Sequence, residues 1–220
     1  MLGLQIIIPS HAFRIGTGAW WIREGHMAPL VGLNASTVWQ SRRVGQVQVF
    51  PTEDAPAGML QDARAVVFGA FDGGFTEDDW DHALGGWHAV VTDGQRVVSH
   101  AAVVLRELEV GDRTFAAGYV EGIETRADAR GEGHGTHAMI EIAKIIRRSF
   151  ELGTLSTEAH LFYESLGWER WRGPTLVRSA TGLTRTEGED DGIMVLRFGP
   201  SASIDLTASM SCDERSGDDW

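Results

Sequence analysis

The sequence predicts an α+β fold in which helices flank a mixed, mostly antiparallel central sheet. Three β-rich runs, 87–92, 96–105 and 114–124, follow one another along the chain. The turn pairs Asp93-Gly94 and Gly111-Asp112 join them, and such turns are typical of antiparallel hairpins. Helical patterns and further strands lie on both sides of this meander, so the order of elements favours an α+β arrangement.

Length and composition indicate one domain. The 220 residues are 43% apolar and 23% charged, which suits one substantial core and leaves too little chain for two full-sized domains. Residues 1–45 carry glycine and tryptophan without sustained periodicity, and we expect them to be an N-terminal extension outside the fold. Residues 46–220 then form the domain.

Before the meander, the pattern predicts one strand and two helices. The strand is expected at 47–51, and the second helix begins after Thr76, whose hydroxyl can cap its first turn. Gly73-Gly74 ends the first helix and Gly85-Gly86 ends the second. The first helix is predicted from apolar residues at helical spacing, namely Met59, Ala63, Val66, Val67 and Ala70.

After the meander, a glycine-rich loop leads into a long amphipathic helix. A short strand at 154–156 follows, then a helix over 158–166 that Gly167 ends. Strands at 176–179 and 193–198 close the sheet. The long helix is predicted from one apolar face, formed by Met139, Ile142, Ala143, Ile146 and Phe150.

The charge balance favours cationic ligands. With 31 acidic and 19 basic side chains the net charge is −12, which repels phosphate backbones and anionic lipid and attracts polycations. We therefore expect neither nucleic acid nor membrane as a partner.

Cys212 is the single cysteine, so an internal disulfide is impossible and a reducing cytoplasm fits. The early apolar runs 4–8 and 18–22 are far too short to span a membrane.

The loop Arg130–Gly135 reads Arg-Gly-Glu-Gly-His-Gly and stands just before the long helix. Alternating glycines let backbone N–H groups approach a ligand closely, and the N-terminus of the helix favours negative charge. The position after a meander does not suit a dinucleotide-binding βαβ unit, and no Lys-Ser or Lys-Thr of a P-loop follows. By itself the loop is compatible with either an anion cradle or a flexible surface turn.

The loop resembles the acyl-CoA loop of the GNAT acetyltransferases, which reads Gln or Arg, two residues, Gly, one residue, then Gly or Ala. Arg130, Gly133 and Gly135 match that pattern. The resemblance implies the GNAT acyl-CoA N-acyltransferase fold and acetyl-CoA as cosubstrate. It also implies that the loop holds the pyrophosphate and that the strand residues 123–125 pair with the pantetheine arm. The implied cosubstrate contacts are Ile123, Glu124, Thr125, Arg130, Gly131, Glu132, Gly133, His134 and Gly135.

A second GNAT pattern, Ala, three residues, Tyr, three residues, Gly and an aromatic, lies further along the chain. It is matched by Ala159, Tyr163, Gly167 and Trp168. The spacing alone equally describes a core tyrosine on a helix. The resemblance implies that the Tyr163 hydroxyl lies near the CoA sulfur and protonates the departing thiolate.

Over roughly residues 47–220 the sequence is similar to the aminoglycoside 2′-N-acetyltransferases. That similarity implies acetyl transfer to the 2′-amino group of an aminoglycoside antibiotic, which confers resistance, and a homodimer. The matching segments are Gly69-Ala70-Phe71, Phe75-Thr76-Glu77, Trp80, Gly85-Gly86, Gly118-Tyr119-Val120-Glu121-Gly122, Arg126-Ala127-Asp128, Gly173-Pro174-Thr175, Asp190-Asp191-Gly192, Cys212-Asp213 and Gly217-Asp218-Asp219-Trp220.

The similarity also implies catalytic roles for Glu121, Tyr163 and Trp220. Glu121 takes a proton from the attacking amine through water, and Trp220 contributes its terminal carboxylate. A carboxylate beside the acceptor is a plausible proton sink, since the amine must be neutral to attack. Each ammonium–carboxylate pair at about 4 Å gives about 4 kcal/mol at an effective dielectric of 20 before desolvation is deducted.

The implied acceptor contacts depart from the family pattern at one position. Gly74 stands where the family has an acidic ligand, and we expect Asp72, two residues earlier, to substitute for it. The stretch after Ser156 is two residues shorter than in the family. The full set of expected acceptor contacts is Asp72, Gly74, Glu121, Gly122, Ser156, Asp190, Asp218 and Trp220.

Four other interpretations fit the residues. The acceptor could be another polyamine, an amino sugar or a protein amino terminus, or the protein could bind aminoglycosides without turnover. The acidic stretch 187–191 could be an ordinary solvated loop. His134, His137 and Glu141 have a helical spacing that could hold a metal. Because we expect both histidines to be exposed, we expect no metal in the site.

Overall fold

A computed structural model describes residues 13–15, 18–23, 26–29, 45–70 and 74–220. The chain divides into two compact units, Met1–Arg43 and Val44–Trp220. In the first unit, strands β1 (Phe13–Ile15), β2 (Gly18–Arg23) and β3 (His26–Pro29) form an antiparallel three-stranded sheet. None of the described helices is long and apolar enough to cross a membrane.

The second unit contains the described helices and a ten-stranded sheet. The helices are α1 (Met59–Phe68), α2 (Glu77–His82), α3 (His134–Ser149) and α4 (His160–Glu164). The strands are β4 (Gln46–Pro51), β5 (Trp87–Asp93), β6 (Arg96–Val110), β7 (Arg113–Thr125), β8 (Leu152–Ser156), β9 (Glu169–Arg170), β10 (Thr175–Ser179), β11 (Gly182–Arg185), β12 (Ile193–Leu196) and β13 (Met210–Asp213).

The long strand β6 organises this sheet. Its first half pairs with β5 and its end pairs with β13, while β7 pairs along its other edge. The strand order β11-β10-β13-β6-β7-β8-β12-β9, with β5 and β4 beside the first half of β6, contains two parallel pairs, β7–β8 and β10–β13. The predicted α+β class, the antiparallel meander β5–β6–β7 and the mostly antiparallel sheet are confirmed.

Two irregularities in β7 shape the site. The pairing of β7 with β8 covers Ala117 to Tyr119, whereas β7 itself continues to Thr125. Opposite β6, the register shifts so that Gly122 and Ile123 together face one residue of the partner strand, and Gly122 has a φ of 54°. An extra residue and a positive φ are the marks of a β-bulge, which bends a strand and re-aims its side chains.

Three apolar clusters pack on this framework. The predicted apolar face of α3 is buried against the meander through Met139, Ile142 and Ile146. Side chains alternate across a strand. On β7, Val120 belongs to this first cluster, whereas Tyr119 belongs to a second cluster that also contains Trp220. Helices α1 and α2 bury a third cluster against β5 and β6.

The start of α2 follows the predicted signal. The Thr76 hydroxyl accepts a hydrogen bond from the Asp79 N–H, and the Asp79 carboxylate accepts the Thr76 N–H at 2.7 Å. This reciprocal capping box fixes the first turn of the helix. Gly85 takes the left-handed conformation, with a φ of 81°, directly before β5.

Some boundaries differ from the prediction. Helix α1 ends at Phe68, with Gly69 as its C-cap, and so stops before the predicted Gly73-Gly74. Helix α4 is shorter than predicted, and the short strands β9, β11 and β13 were not predicted. These strands have only two to four residues, which is too short for an alternating pattern to be recognised.

Gly86 permits a close approach between the start of β5 and β6. A Cβ at this position would lie 2.1 Å from the Val103 carbonyl oxygen, so Gly86→Ala forces the two strands apart. We expect the free energy of unfolding to fall by about 2–3 kcal/mol in urea denaturation. The matched control is Gly188→Ala, whose added methyl meets nothing within 4 Å. Equal stability of the two variants would show that the contact between Gly86 and Val103 tolerates a methyl group.

Candidate active site

A groove of about 570 Å³ opens between the end of β7, the loop before α3, and α4. It contains eight of the nine predicted cosubstrate contacts, and Glu132 is the one that does not line it. Its lining residues are Ile123, Glu124, Thr125, Ala129, Arg130, Gly131, Gly133, His134, Gly135, Thr136, Ala159, Phe162 and Tyr163. Of these, Ala129, Thr136 and Phe162 were not predicted.

The loop between β7 and α3 has the backbone that an anion cradle requires. Gly131 and Gly133 have φ values of 78° and 88°, a conformation that favours glycine. Gly135 lies in the first turn of α3, and a Cβ there would lie 3.1 Å from the Thr125 hydroxyl. The loop therefore brings its N–H groups and the N-terminus of a sixteen-residue helix to the groove, an arrangement that suits a pyrophosphate.

Charged side chains fasten this loop to the end of β7. The Arg130 guanidinium donates to the Glu124 carboxylate at 3.0 Å and to the Thr125 carbonyl at 3.1 Å. The Arg130 side chain remains about half exposed, so it can also face an anion in the groove.

The two histidines at the start of α3 are less exposed than predicted. His134 is buried and His137 is half-buried, because the first turn of α3 packs under the loop. The Glu132 carboxylate lies 3.3 Å from Nε2 of His134. Nδ1 of His134 has no hydrogen-bond partner among the described residues, so it is a polar atom that a ligand in the groove can satisfy.

Tyr163 lies on α4 with its ring inside the fold. It is 3% exposed, packs edge-on against Phe162 and Trp168, and lines the groove. Burial raises the pKa of the Tyr163 phenol, while a side-chain hydrogen bond with Thr157 opposes that rise. The hydroxyl is therefore protonated at neutral pH, which a proton donor requires.

A second cavity, of about 260 Å³, lies along β7 from Tyr119 to the bulge. Ile123 lines both cavities, so they meet at the bulge. The second cavity contains six of the eight predicted acceptor contacts: Gly74, Glu121, Gly122, Ser156, Asp218 and Trp220. Its other lining residues are Phe75, Asp79, His82, Tyr119, Val120, Ile123 and Arg215.

Glu121 is a largely enclosed carboxylate of this second cavity. Its side chain is 13% exposed and forms an ion pair with the Arg215 guanidinium at 2.7 Å. Burial raises the pKa of Glu121, and the charge and hydrogen bond of Arg215 oppose that rise. A carboxylate tuned between these two effects can be ionised at neutral pH and still accept a proton.

Arg215 was not predicted as a site residue. It belongs to the C-terminal segment, defined here as residues 213–220. Arg106 holds both ends of that segment by donating to the Asp219 carbonyl at 2.6 Å and to the Asp213 carbonyl at 2.9 Å. Arg215 itself donates to the Asp218 carbonyl at 2.6 Å. The only signal in the sequence was a single arginine among the acidic residues of the C-terminus.

Two aromatic residues place polar groups beside this cavity. Trp220 and Tyr119 are 4% and 1% exposed, and both line the cavity. The Trp220 indole nitrogen and the Tyr119 hydroxyl have no hydrogen-bond partner among the described residues. The Trp220 backbone N–H donates to the Asp218 carboxylate at 3.1 Å. Buried hydrogen-bond donors require a partner. A bound molecule with several hydroxyl groups can supply one to the Trp220 indole and to the Tyr119 hydroxyl.

Of the two remaining predicted acceptor contacts, Asp190 does not line the cavity. Asp72 lies outside the described residues. The Asp190 carboxylate accepts hydrogen bonds from the Thr175 N–H at 2.9 Å and from the Arg185 guanidinium. The Arg185 hydrogen bond is the main reason that the pKa of Asp190 falls to about 2. Burial and then the charge of the Asp218 carboxylate raise the pKa of the neighbouring Glu189.

The rim of the second cavity also carries ionisable groups that were not predicted. Asp79 caps α2 and lines the cavity, and His82 lies one helical turn further on. Burial and then the Arg215 charge lower the pKa of His82, which keeps its ring neutral at pH 7. Within residues 45–70 and 74–220, no group of three or more His, Cys, Asp or Glu side chains could hold a metal ion.

Comparison with known proteins agrees with this geometry. The family described as Acetyltransferase (GNAT) domain matches residues 52–171. The aminoglycoside 2′-N-acetyltransferase of Mycolicibacterium fortuitum is 41% identical over 173 residues, which cover 77% of this chain and 89% of that protein.

Two solved structures share the fold. The GNAT family N-acetyltransferase YhbS from Escherichia coli, in complex with CoA, superposes with a TM-score of 0.50 at 17% identity, covering 79% of this chain and 94% of its own. Eis1 from Mycobacterium abscessus gives a TM-score of 0.50 at 14% identity over 60% of this chain, which spans 33% of the Eis1 chain.

The predicted GNAT fold is confirmed, and acetyl-CoA is the cosubstrate of this fold family. The domain match covers more than half of the chain, and the M. fortuitum relative covers most of both sequences. The chain therefore belongs to the aminoglycoside 2′-N-acetyltransferase family of the GNAT acetyltransferases.

Proposed function

We propose that this chain transfers the acetyl group of acetyl-CoA to the 2′-amino group of an aminoglycoside antibiotic and so confers resistance. The observation that carries the proposal is the meeting of the two cavities at Ile123. One cavity has a glycine-built anion cradle, and the other has a largely enclosed carboxylate. An anionic cosubstrate and a cationic acceptor can thus reach the same stretch of β7 through two different cavities.

The groove residues fit acetyl-CoA. The cradle of Gly131, Gly133 and the α3 N-terminus offers N–H groups to the pyrophosphate. The buried Nδ1 of His134 adds a polar atom without a partner among the described residues. The edge of β7 beyond Tyr119 is not paired with β8, so its backbone can pair with the pantetheine amides. When bound, acetyl-CoA supplies the thioester carbonyl that the amine attacks.

Electrostatics favours a polycationic acceptor. Glu121, Asp79 and Asp218 line the acceptor cavity, and Glu189 lies close to Asp218. The whole chain carries a net charge of −12, which draws polycations from solution. Arg215 balances only part of this negative charge, so the cavity suits a molecule with several ammonium groups. Asp72 remains a proposed further ligand, and Asp190 acts here through the loop that it stabilises.

Glu121 is the proposed general base. An acceptor amine must lose a proton before it can attack, and an ionised carboxylate within reach, directly or through one water, takes that proton.

Tyr163 is the proposed general acid, since its protonated phenol faces the groove and can protonate the departing thiolate. Trp220 is proposed to bind the acceptor, with its ring closing one side of the cavity.

We further propose a cytoplasmic location and a homodimer. A single buried cysteine fits a reducing compartment. The homodimer rests on the family resemblance alone.

The direct test is acetyl transfer with purified protein. Acetyl-CoA and gentamicin or tobramycin are mixed, free thiol release is followed, and NMR of the product locates the modified amine. We expect acetylation of the 2′-amino group. A polyamine such as spermidine is the control acceptor. Transfer to spermidine alone would redirect the proposal to another amine, and binding of gentamicin without turnover would indicate a drug-binding protein.

Glu121→Gln tests the proposed base. The amide keeps the size of the side chain but cannot take a proton, so kcat is expected to fall about 10²- to 10⁴-fold. Affinity for acetyl-CoA, measured by calorimetry, is expected to stay within about twofold, because Glu121 lines only the acceptor cavity. Glu53→Gln, an exposed residue that lines neither cavity, is the matched control. Unchanged kcat in Glu121→Gln would exclude Glu121 as the base.

Arg215→Gln tests how Glu121 is tuned. Arg215 lowers the pKa of Glu121 against the effect of burial, so its removal raises that pKa. The base must be ionised, and activity is lost as pH falls through its pKa. The acid limb of the kcat/KM profile is therefore expected to move to higher pH in Arg215→Gln. Arg215→Lys keeps the charge and serves as the control. A limb that stays in place or moves to lower pH contradicts the pairing.

A further inference from the structure

Behind the bulge of β7, a hydrogen-bonded row of buried side chains crosses the meander. His88 on β5 and His100 on β6 are both 0% exposed. Nδ1 of His88 lies 3.0 Å from Nε2 of His100, and Nδ1 of His100 lies 2.7 Å from the Gly122 carbonyl oxygen. At the other end, Nε2 of His88 lies 2.8 Å from the Thr52 hydroxyl. The mechanism proposed above uses none of these side chains.

The chemistry of the row fixes the position of every proton. A carbonyl oxygen only accepts, so His100 carries its proton on Nδ1 and donates it to Gly122. A neutral His100 then accepts at Nε2, which places the proton of His88 on Nδ1. The bare Nε2 of His88 accepts from the Thr52 hydroxyl. All donors point the same way, from Thr52 towards the bulge.

Both rings are neutral in this row. Burial lowers the pKa of His88 to about 4 and, with the neighbouring His88 ring, that of His100 to about 3. Trp80 packs against the His100 ring at 5.5 Å between ring centroids, and Phe50 stacks on His88 at 5.9 Å. The Thr52 hydroxyl also lies 3.2 Å from the Gly86 carbonyl oxygen, but only donation to His88 gives every ring nitrogen of the two neutral histidines a partner. Apolar packing and this single arrangement of ring protons make the row stiff.

The row ends on the carbonyl of Gly122, next to Ile123, the residue that lines both cavities. His100 lies directly under Gly122, since a Cβ on that glycine would be 3.5 Å from Cε1 of His100. The Gly122 carbonyl belongs to the same planar peptide as the Ile123 N–H, and the two bonds point in opposite directions across a trans peptide. Holding the carbonyl on His100 therefore aims the Ile123 N–H away from His100.

We propose that His100, fixed by His88 and Thr52, is a positioning residue for acetyl transfer. It orients the Gly122–Ile123 peptide so that the Ile123 N–H meets the thioester oxygen and Glu121 faces the acceptor. Glu121 precedes Gly122 directly, so both groups depend on the same bulge. This inference rests on the proposed acetyltransferase function.

His100→Leu and His100→Asn separate positioning from packing. Leucine fills the space without a donor, whereas the asparagine amide can place an N–H near the position of Nδ1. Because preorganised donors act mainly in the transition state, kcat is expected to fall about 10- to 100-fold in His100→Leu and by less than about threefold in His100→Asn. The KM for acetyl-CoA is expected to stay within about threefold in both variants. Thermal unfolding is recorded in parallel.

His88→Leu is the second variant, for the case that His100→Leu does not fold. It keeps the donor to Gly122 but removes the group that fixes the tautomer of His100, so a smaller fall in kcat, of about three- to tenfold, is expected. Long-range ¹H–¹⁵N NMR of the wild-type protein adds a readout independent of turnover. It is expected to show both rings neutral and protonated on Nδ1 at pH 7.

The outcomes separate the two proposals. A wild-type protein without acetyl transfer overturns the proposed function and this inference with it. If the wild type is active and His100→Leu has the same kcat, the inference alone is overturned. Where His100→Leu does not fold, a kcat of His88→Leu equal to that of the wild type overturns it. An Nε2-protonated His100 in the NMR spectrum also overturns it. Equal losses of kcat in His100→Leu and His100→Asn would assign His100 to packing.

Discussion

The divergence of β7 from β8 after Tyr119 creates the site. Up to that residue the two strands are hydrogen bonded, and beyond it β7 has backbone groups directed towards a groove. The bulge at Gly122 lies just past this point and bends the strand. The groove and the cavity exist because one strand leaves its partner while the rest of the sheet stays paired. The glycine loop, α4 and the C-terminal segment add their side chains to walls that this divergence has already placed.

Charged groups hold the C-terminal segment against the proposed acceptor cavity. Arg106 ties the two ends of the C-terminal segment to β6, and Arg215 joins that segment to Glu121. Two arginines thus bring a chain end with several carboxylates into a cavity that already holds one. Without them, like charges would drive the segment outward. In Glu121, the effect of burial on the pKa is opposed by the charge and hydrogen bond of Arg215.

Residues with the same sequence signal have different roles in the fold. Gly133 and Glu132 belong to one motif, but only the glycine lines the groove. Asp190 and Asp218 both matched the family pattern, yet Asp190 is bound by Thr175 and Arg185, while Asp218 lines the acceptor cavity. A motif records which residue types recur together, and the hydrogen bonds of each side chain decide which of them reach a ligand.

The order of residues along the chain was enough to predict the class of fold, the meander, the amphipathic face of α3, the cap at Thr76 and the glycine cradle. These features arise from local periodicity and backbone preference, which act over a few residues. The family motifs, which follow one another along the chain, also indicated Glu121 and Tyr163 as site residues. Folding was needed to bring Arg215 to Glu121, 94 residues away, and His88 to His100 across two strands. Such contacts depend on strand register and on the path of the chain end, and no local pattern encodes the distance between residues that meet only after folding.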